Sequence, residues 1–177
     1  MKRRAFEALL TWKQQRKRKP LLLRGARQVG KTHLVRELGR HFEHFVELNF
    51  ESTPQLKTSF EKDLDPARLV RELSLLTGKL IIPGKTLLFF DEIQAVPLAI
   101  TSLRYFYEQL PDLHVLAAGS LLDFALEGLG VPVGRVSFLH LYPMSFLEFL
   151  EAAHQDLLIE EVLSHQPEHP LANVLHQ

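Results

Sequence analysis

Gly25-Ala26-Arg27-Gln28-Val29-Gly30-Lys31-Thr32 reads G-x-x-x-x-G-K-T. An apolar run, Pro20-Leu21-Leu22-Leu23, precedes it, and His33 to Gly39 follows with Leu34, Val35 and Leu38 at helical spacing. A strand, a glycine-bounded loop and a helix are the setting in which this pattern forms a phosphate-binding loop. Gly25 and Gly30 allow the backbone to turn so that successive N–H groups converge, and the helix start adds partial positive charge. Lys31 supplies a mobile cation for the outer phosphates, and Thr32 a hydroxyl for Mg²⁺. The eight residues Gly25, Ala26, Arg27, Gln28, Val29, Gly30, Lys31 and Thr32 are therefore the expected nucleotide-binding set.

Outward from this loop, apolar runs alternate with helical patterns. Phe45 to Phe50 alternates apolar and polar residues as a strand does. Asp65-Pro66 opens a helix with Leu69, Val70, Leu73 and Leu76 as its inward stripe, and Gly78 stops it. Thr86 to Phe90 is continuously apolar, as in parallel strands covered on both faces. Pro97 to Leu110 reads as a helix with Leu103, Phe106, Tyr107 and Leu110 inward, and Leu113–Ala118 and Val136–Leu141 as two more strands. The spacing predicts an α/β fold of the P-loop NTPase type. It would be an open parallel sheet of five strands with helices on both faces.

A second cluster closes the apolar run at Asp91-Glu92. Ligands of open α/β sheets bind beyond the carboxyl ends of the strands, so an acid there meets a cation held by Thr32. Asp91 is the expected Mg²⁺ partner, through water, and Glu92 the residue that orients or deprotonates an attacking water. Ser120, after the next apolar strand, is placed to bond the water or γ-phosphate and equally to cap the segment Leu121–Leu126, two roles that are compatible. Arg135 follows the glycine-rich stretch Gly128–Pro132 and is the sole Lys or Arg after Arg104. It either pairs with an acid or reaches nucleotide as an arginine finger.

Composition bounds the rest. The 177 residues include 46% hydrophobic and 24% charged side chains, the balance of a globular domain, with no cysteine for disulfides or thiolate metal sites. No apolar run approaches the ~18 residues of a membrane helix, and a cytoplasmic location is expected. Net charge is zero, yet residues 1–40 hold thirteen Lys/Arg against two acids and the remainder eight against nineteen. A basic helix over residues 2–18 is expected, within a basic N-terminal unit 1–19. Its run Arg16-Lys17-Arg18-Lys19 has three open readings: a nucleic-acid contact, a solvated helix near bound phosphate, or attraction between subunits of a homo-oligomer. His41/His44 and His165/His169 lack metal-ligand geometry, Pro167 breaking the second pair. No N-K-x-D guanine motif and no acceptor-binding motif argue for a GTPase or a kinase. Two functions from different classes remain: hydrolysis of ATP, or a nucleotide-gated interaction switch with little turnover.

The order R-G-A-R-Q-V-G-K-T, L-L-F-F-D-E-I-Q, A-A-G-S-L-L, then G-R-V and L-Y-P-M-S-F-L-E-F-L resembles one prokaryotic family over about residues 2–152. It is the group of AAA+-superfamily ATPases that carry a C-terminal domain of unknown function. The resemblance implies ATP and Mg²⁺ as ligands, Walker A at Gly25–Thr32, Walker B at Asp91-Glu92, a sensor-like Ser120 and Arg135 in a Gly-Arg motif. It also implies a core over residues 20–153, with 154–177 only the start of a further domain that is the core's partner.

Overall fold

The computed structural model describes residues 3–120 and 134–164. Five strands form one sheet in the order β2-β3-β4-β1-β5, every neighbouring pair parallel. They are β1 (Leu21–Arg24), β2 (His44–Asn49), β3 (Thr86–Asp91), β4 (His114–Ala118) and β5 (Ser137–His140). The α-helices among the described residues are α1 (Ala5–Gln14), α2 (Lys31–Gly39), α3 (Leu56–Glu61), α4 (Pro66–Thr77), α5 (Pro97–Gln109), α6 (Phe146–Ala152) and α7 (Asp156–Ser164), with a short 3₁₀ turn at Ile93–Ala95.

The continuously apolar strands are explained by two cores. Leu22, Leu88, Phe90, Val115 and Ala117 belong to one, with Phe60 of α3, Leu69 and Leu73 of α4, and Leu103 and Phe106 of α5. The alternate residues Leu21, Leu23, Leu87, Phe89, Leu116 and Ala118 belong to the other, with Leu9 and Trp12 of α1 and Leu34, Val35 and Leu38 of α2. Period-two side chains on a sheet covered on both faces favour apolar residues throughout the central strands, and the buried polar residues of β3 and β4, Thr86, Asp91 and His114, stand at strand ends. Phe90 packs against the rings of Phe50, Phe60 and Phe106 at 5.5–6.0 Å between centroids. Such ring pairs add to the area they bury.

Local signals set the element ends. Asp65 caps α4 by accepting the Arg68 N–H, Pro66 takes its first position, and Gly78 ends it at φ +65°. The last turn of α4 departs from the expected stripe: Leu69 and Leu73 are buried in the sheet core and Val70 packs against it, whereas Leu76 is 55% exposed. Helix α1 is also shorter than expected. It ends at Gln14, and Arg16–Lys19 form no helix. The Arg18 guanidinium there bonds the carbonyls of Lys13, Gln15, Pro111 and Asp112. Arg16–Lys19 precede β1 whereas the phosphate loop follows it, so the basic run lies at the opposite end of the sheet from that loop. The solvated-helix reading near bound phosphate is thereby corrected.

Candidate functional site

The Gly25–Thr32 loop joins the carboxyl end of β1 to the first turn of α2. Both of its glycines have positive φ, +148° at Gly25 and +93° at Gly30. At Gly25 a side chain is excluded outright, since a Cβ would lie 2.2 Å from the Leu141 carbonyl oxygen. Gln28 also takes a left-handed conformation, φ +63°, at the crest of the loop. Such a residue among two glycines marks a backbone held in shape by its surroundings.

Lys31 is 6% exposed and its Nζ donates to the carbonyls of Gly25 and Ala26, 2.8 Å each, and to Ser120 Oγ at 3.2 Å. Burial holds its pKa below the ordinary lysine value, against the opposing pull of Glu92 and Asp91. The ammonium thus sits folded onto its own loop, with weak carbonyl partners that an anion would outcompete. Thr32 Oγ1 donates to Asp91 Oδ2 at 3.0 Å, joining α2 to the end of β3. Burial raises the Asp91 carboxyl above the usual aspartate range, opposed by the Thr32 hydrogen bond. A hydroxyl and a carboxylate are hard oxygen donors, the class Mg²⁺ prefers, so this pair fits such an ion.

Strand order decides the remainder. Strand β4 lies between β1 and β3, so Ser120, two residues past β4, falls between Lys31 and Glu92. Its Oγ also lies 3.5 Å from Glu92 Oε1. Glu92 has φ +50°, and its Oε2 accepts from Gln94 Nε2 at 2.7 Å. A cavity of about 400 Å³ opens among these groups, lined in part by Gln28, Gly30, Lys31, Thr32, Glu92 and Ser120. That size suits the phosphates of a nucleotide. A second, largely apolar cavity of about 490 Å³ adjoins it across the loop, bounded by Val29, His33, Leu34, Pro143 and Met144.

Lys31, Thr32, Asp91, Glu92 and Ser120 thus converge, as do the loop residues around them. Arg135 does not. It precedes β5, and the register Leu21↔Ser137, Arg24↔His140 sets it at the end of the strand remote from the loop. There its Nε donates to Glu108 Oε1 of α5 at 3.2 Å, a carboxylate shared with Arg104. Of its two readings the ion pair is the one formed, and a finger acting within its own chain is ruled out by this position. Leu121–Leu126 and Gly128–Pro132 lie outside the described residues.

Three participants carried no sequence signal of their role. Asn49, the register partner of Asp91, approaches Asp91 Oδ2 with its Nδ2 at 3.4 Å. Gln94 closes the L-L-F-F-D-E-I-Q stretch, two residues past the acidic pair, but its residue type assigns it no role. Arg3 reaches the loop from the chain start, its Nη1 donating to the Val29 carbonyl at 3.1 Å.

Solved structures of similar fold include a Walker-type ATPase of Pyrococcus abyssi, with a TM-score of 0.53 and 18% identity, covering 92% of this chain and 62% of that one. The Drosophila ORC bound to DNA matches with a TM-score of 0.53 and 16% identity over 90% of this chain and 48% of that one. The chain therefore spans about half to three-fifths of the length of these relatives, and the likeness is one of fold. No curated protein matches it in sequence. No helix among the described residues is long and apolar enough to cross a membrane. A family model, described as AAA domain, matches residues 17–150, from the basic run before β1 to the middle of α6, and the chain belongs to that AAA domain family.

Proposed function

We propose that this chain binds ATP with Mg²⁺ and hydrolyses it. The observation that supports this most is the meeting of Thr32 and Asp91 at 3.0 Å beside a buried Lys31. Lys31 and the loop amides take the phosphates, releasing the lysine from the Gly25 and Ala26 carbonyls. Thr32 and Asp91 hold Mg²⁺, which when bound screens the phosphate charge. Glu92 orients water and accepts its proton, and Ser120 bonds the γ-phosphate or that water. The second cavity, with its apolar lining, takes the nucleoside end.

A nucleotide-gated switch is the second reading, and the bond from Gln94 to Glu92 favours it: a carboxylate already engaged is a poorer base. Turnover of radiolabelled ATP by wild type, Lys31→Ala and Glu92→Gln separates the two. Hydrolysis predicts loss of binding in Lys31→Ala, and in Glu92→Gln retained binding with turnover down at least ~10²-fold. Tight Mg²⁺–ATP binding without wild-type turnover establishes the switch. Normal binding and turnover in Lys31→Ala would remove both.

Three wider proposals rest on this site. Arg135 acts on a neighbouring subunit's nucleotide in a homo-oligomer, releasing Glu108 to do so. Residues 154–177 open a further domain, which the exposed Leu157 and Leu163 of α7 would meet. Nucleic acid contacts the exposed Arg16 and Lys17; the ORC relative was solved with DNA. Repeating the ATPase measurement with DNA and across protein concentration tests the first and third. We place the protein in the cytoplasm.

A further inference from the structure

Arg3 is 7% exposed, and its three donor nitrogens bind three distant parts of the chain. Its Nη1 donates to Val29 O of the phosphate loop at 3.1 Å. Nη2 donates to Tyr142 O, beyond β5, at 2.7 Å. Nε donates to Glu148 Oε1 of α6 at 3.3 Å. A guanidinium removed from water costs several kcal/mol unless paired and fully bonded, and its planar fork sets the directions of its partners.

Glu148 is 6% exposed and equally fixed. Its Oε1 also accepts the Arg4 N–H at 3.0 Å, and its Oε2 accepts the Ser145 N–H at 2.9 Å. Ser145 Oγ returns a bond from the Glu148 N–H at 3.2 Å, completing a capping box that starts α6. Arg3 is therefore a strut of set length between α6 and the loop.

What the strut holds is the Val29–Gly30 peptide. In a trans peptide the carbonyl and the following N–H point in opposite directions. With the Val29 oxygen drawn to Arg3, the Gly30 N–H faces away from it. Gly30 borders both cavities, whereas Arg3 and Val29 border the apolar cavity and not that of Lys31 and Thr32. Gly30 thus stands between the two cavities, and the Val29–Gly30 peptide, with its oxygen on Arg3, turns its N–H away from that side. Gly30 itself, at φ +93°, offers little intrinsic resistance to a flip.

We infer that Arg3 is a positioning residue for triphosphate binding: it keeps the Gly30 N–H aimed into the phosphate cavity, and through Glu148 it couples occupancy of that cavity to the docking of α6. The inference rests on the nucleotide reading above. Coupling of this kind is reciprocal, so bound triphosphate tightens α6 as much as docked α6 tightens binding.

The test titrates the 177-residue chain with Mg²⁺–ATP and, separately, with tripolyphosphate, following amide exchange over residues 146–152. Wild type, Arg3→Met, Arg3→Lys and Glu148→Gln are compared, with Lys31→Ala as the control for the site itself. A lost charge-assisted bond predicts ATP and tripolyphosphate binding about 10- to 100-fold weaker in Arg3→Met. Arg3→Lys, with charge but no fork, is expected to recover only part. Ligand should slow α6 exchange in wild type and not in Arg3→Met. If Arg3→Met fails to fold, Glu148→Gln carries the test with the same sign. Folded Arg3→Met that binds within twofold of wild type, or that loses ATP but not tripolyphosphate, overturns the inference while the nucleotide reading stands. Wild type that binds neither ligand overturns both.

Discussion

Replacing Gly25 by alanine separates backbone shape from side-chain chemistry at this site. The new Cβ would lie 2.2 Å from Leu141 O and 3.2 Å from its carbonyl carbon, both main-chain atoms. That is about 1 Å inside ordinary van der Waals contact. Neither partner yields freely. Leu141 N donates to Arg24 O at 2.7 Å, and Arg24 is in register with His140, so Leu141 moves only if β5 parts from β1. The φ of +148° adds strain of about 1–3 kcal/mol for a residue with a Cβ. One or two strand hydrogen bonds add ~1 kcal/mol each. The sum is roughly 2–5 kcal/mol, a fall in Tm on the order of 10 °C for a chain this size. Gly84→Ala is the matched control, with φ +81° but nothing within 4 Å of its Cβ, so only the left-handed penalty of about 1–2 kcal/mol applies. Urea denaturation followed by the single, buried Trp12 reads both variants, and a fluorescent ATP analogue reads the site. Gly25→Ala should lose more stability than Gly84→Ala and should lose nucleotide binding, which Gly84→Ala keeps. Equal stabilities together with wild-type nucleotide affinity in Gly25→Ala would refute the close-approach argument.

Further outcomes follow from burial and charge. His114, buried beside Trp12 and Phe42, has its pKa lowered to about 4 by desolvation, from 6.5. The unfolded chain therefore binds the proton first: this stability is complete above pH 6.5 and is lost as pH falls to about 4. His114→Gln should flatten the denaturation midpoint over that window, and an unchanged slope would show that other groups govern it. Asp91 carries a carboxylate that burial disfavours, so Asp91→Asn should raise the Tm of the free protein while weakening Mg²⁺-dependent ATP binding. A lower Tm would show that the carboxylate is compensated in the free fold. Helix α7 buries no residue, so its amides should exchange fast against slow exchange in β1, β3 and β4. Slow exchange throughout Asp156–Ser164 would mean that this helix is covered.

The amino-acid sequence alone determined what depends on neighbours a few positions apart. The glycines and Lys31-Thr32 of the loop are contiguous, and their turn into α2 is a property of that stretch. The apolar runs announced strands covered on both faces, and Asp65-Pro66 with Gly78 bounded α4, since caps and fixed φ values act within one turn. Tertiary structure decided every distance between separate segments. Strand order β3-β4-β1 brings Ser120 between Lys31 and Glu92, and register pairs Asn49 with Asp91. Order and register arise from packing of the whole sheet, which no local pattern encodes. The same cause took Arg135 to the far end of β5, left Leu76 outside the core, and gave Arg3 a place against the loop. A charged residue near the chain start reads as solvated until a buried glutamate, 145 positions away, is found beside it.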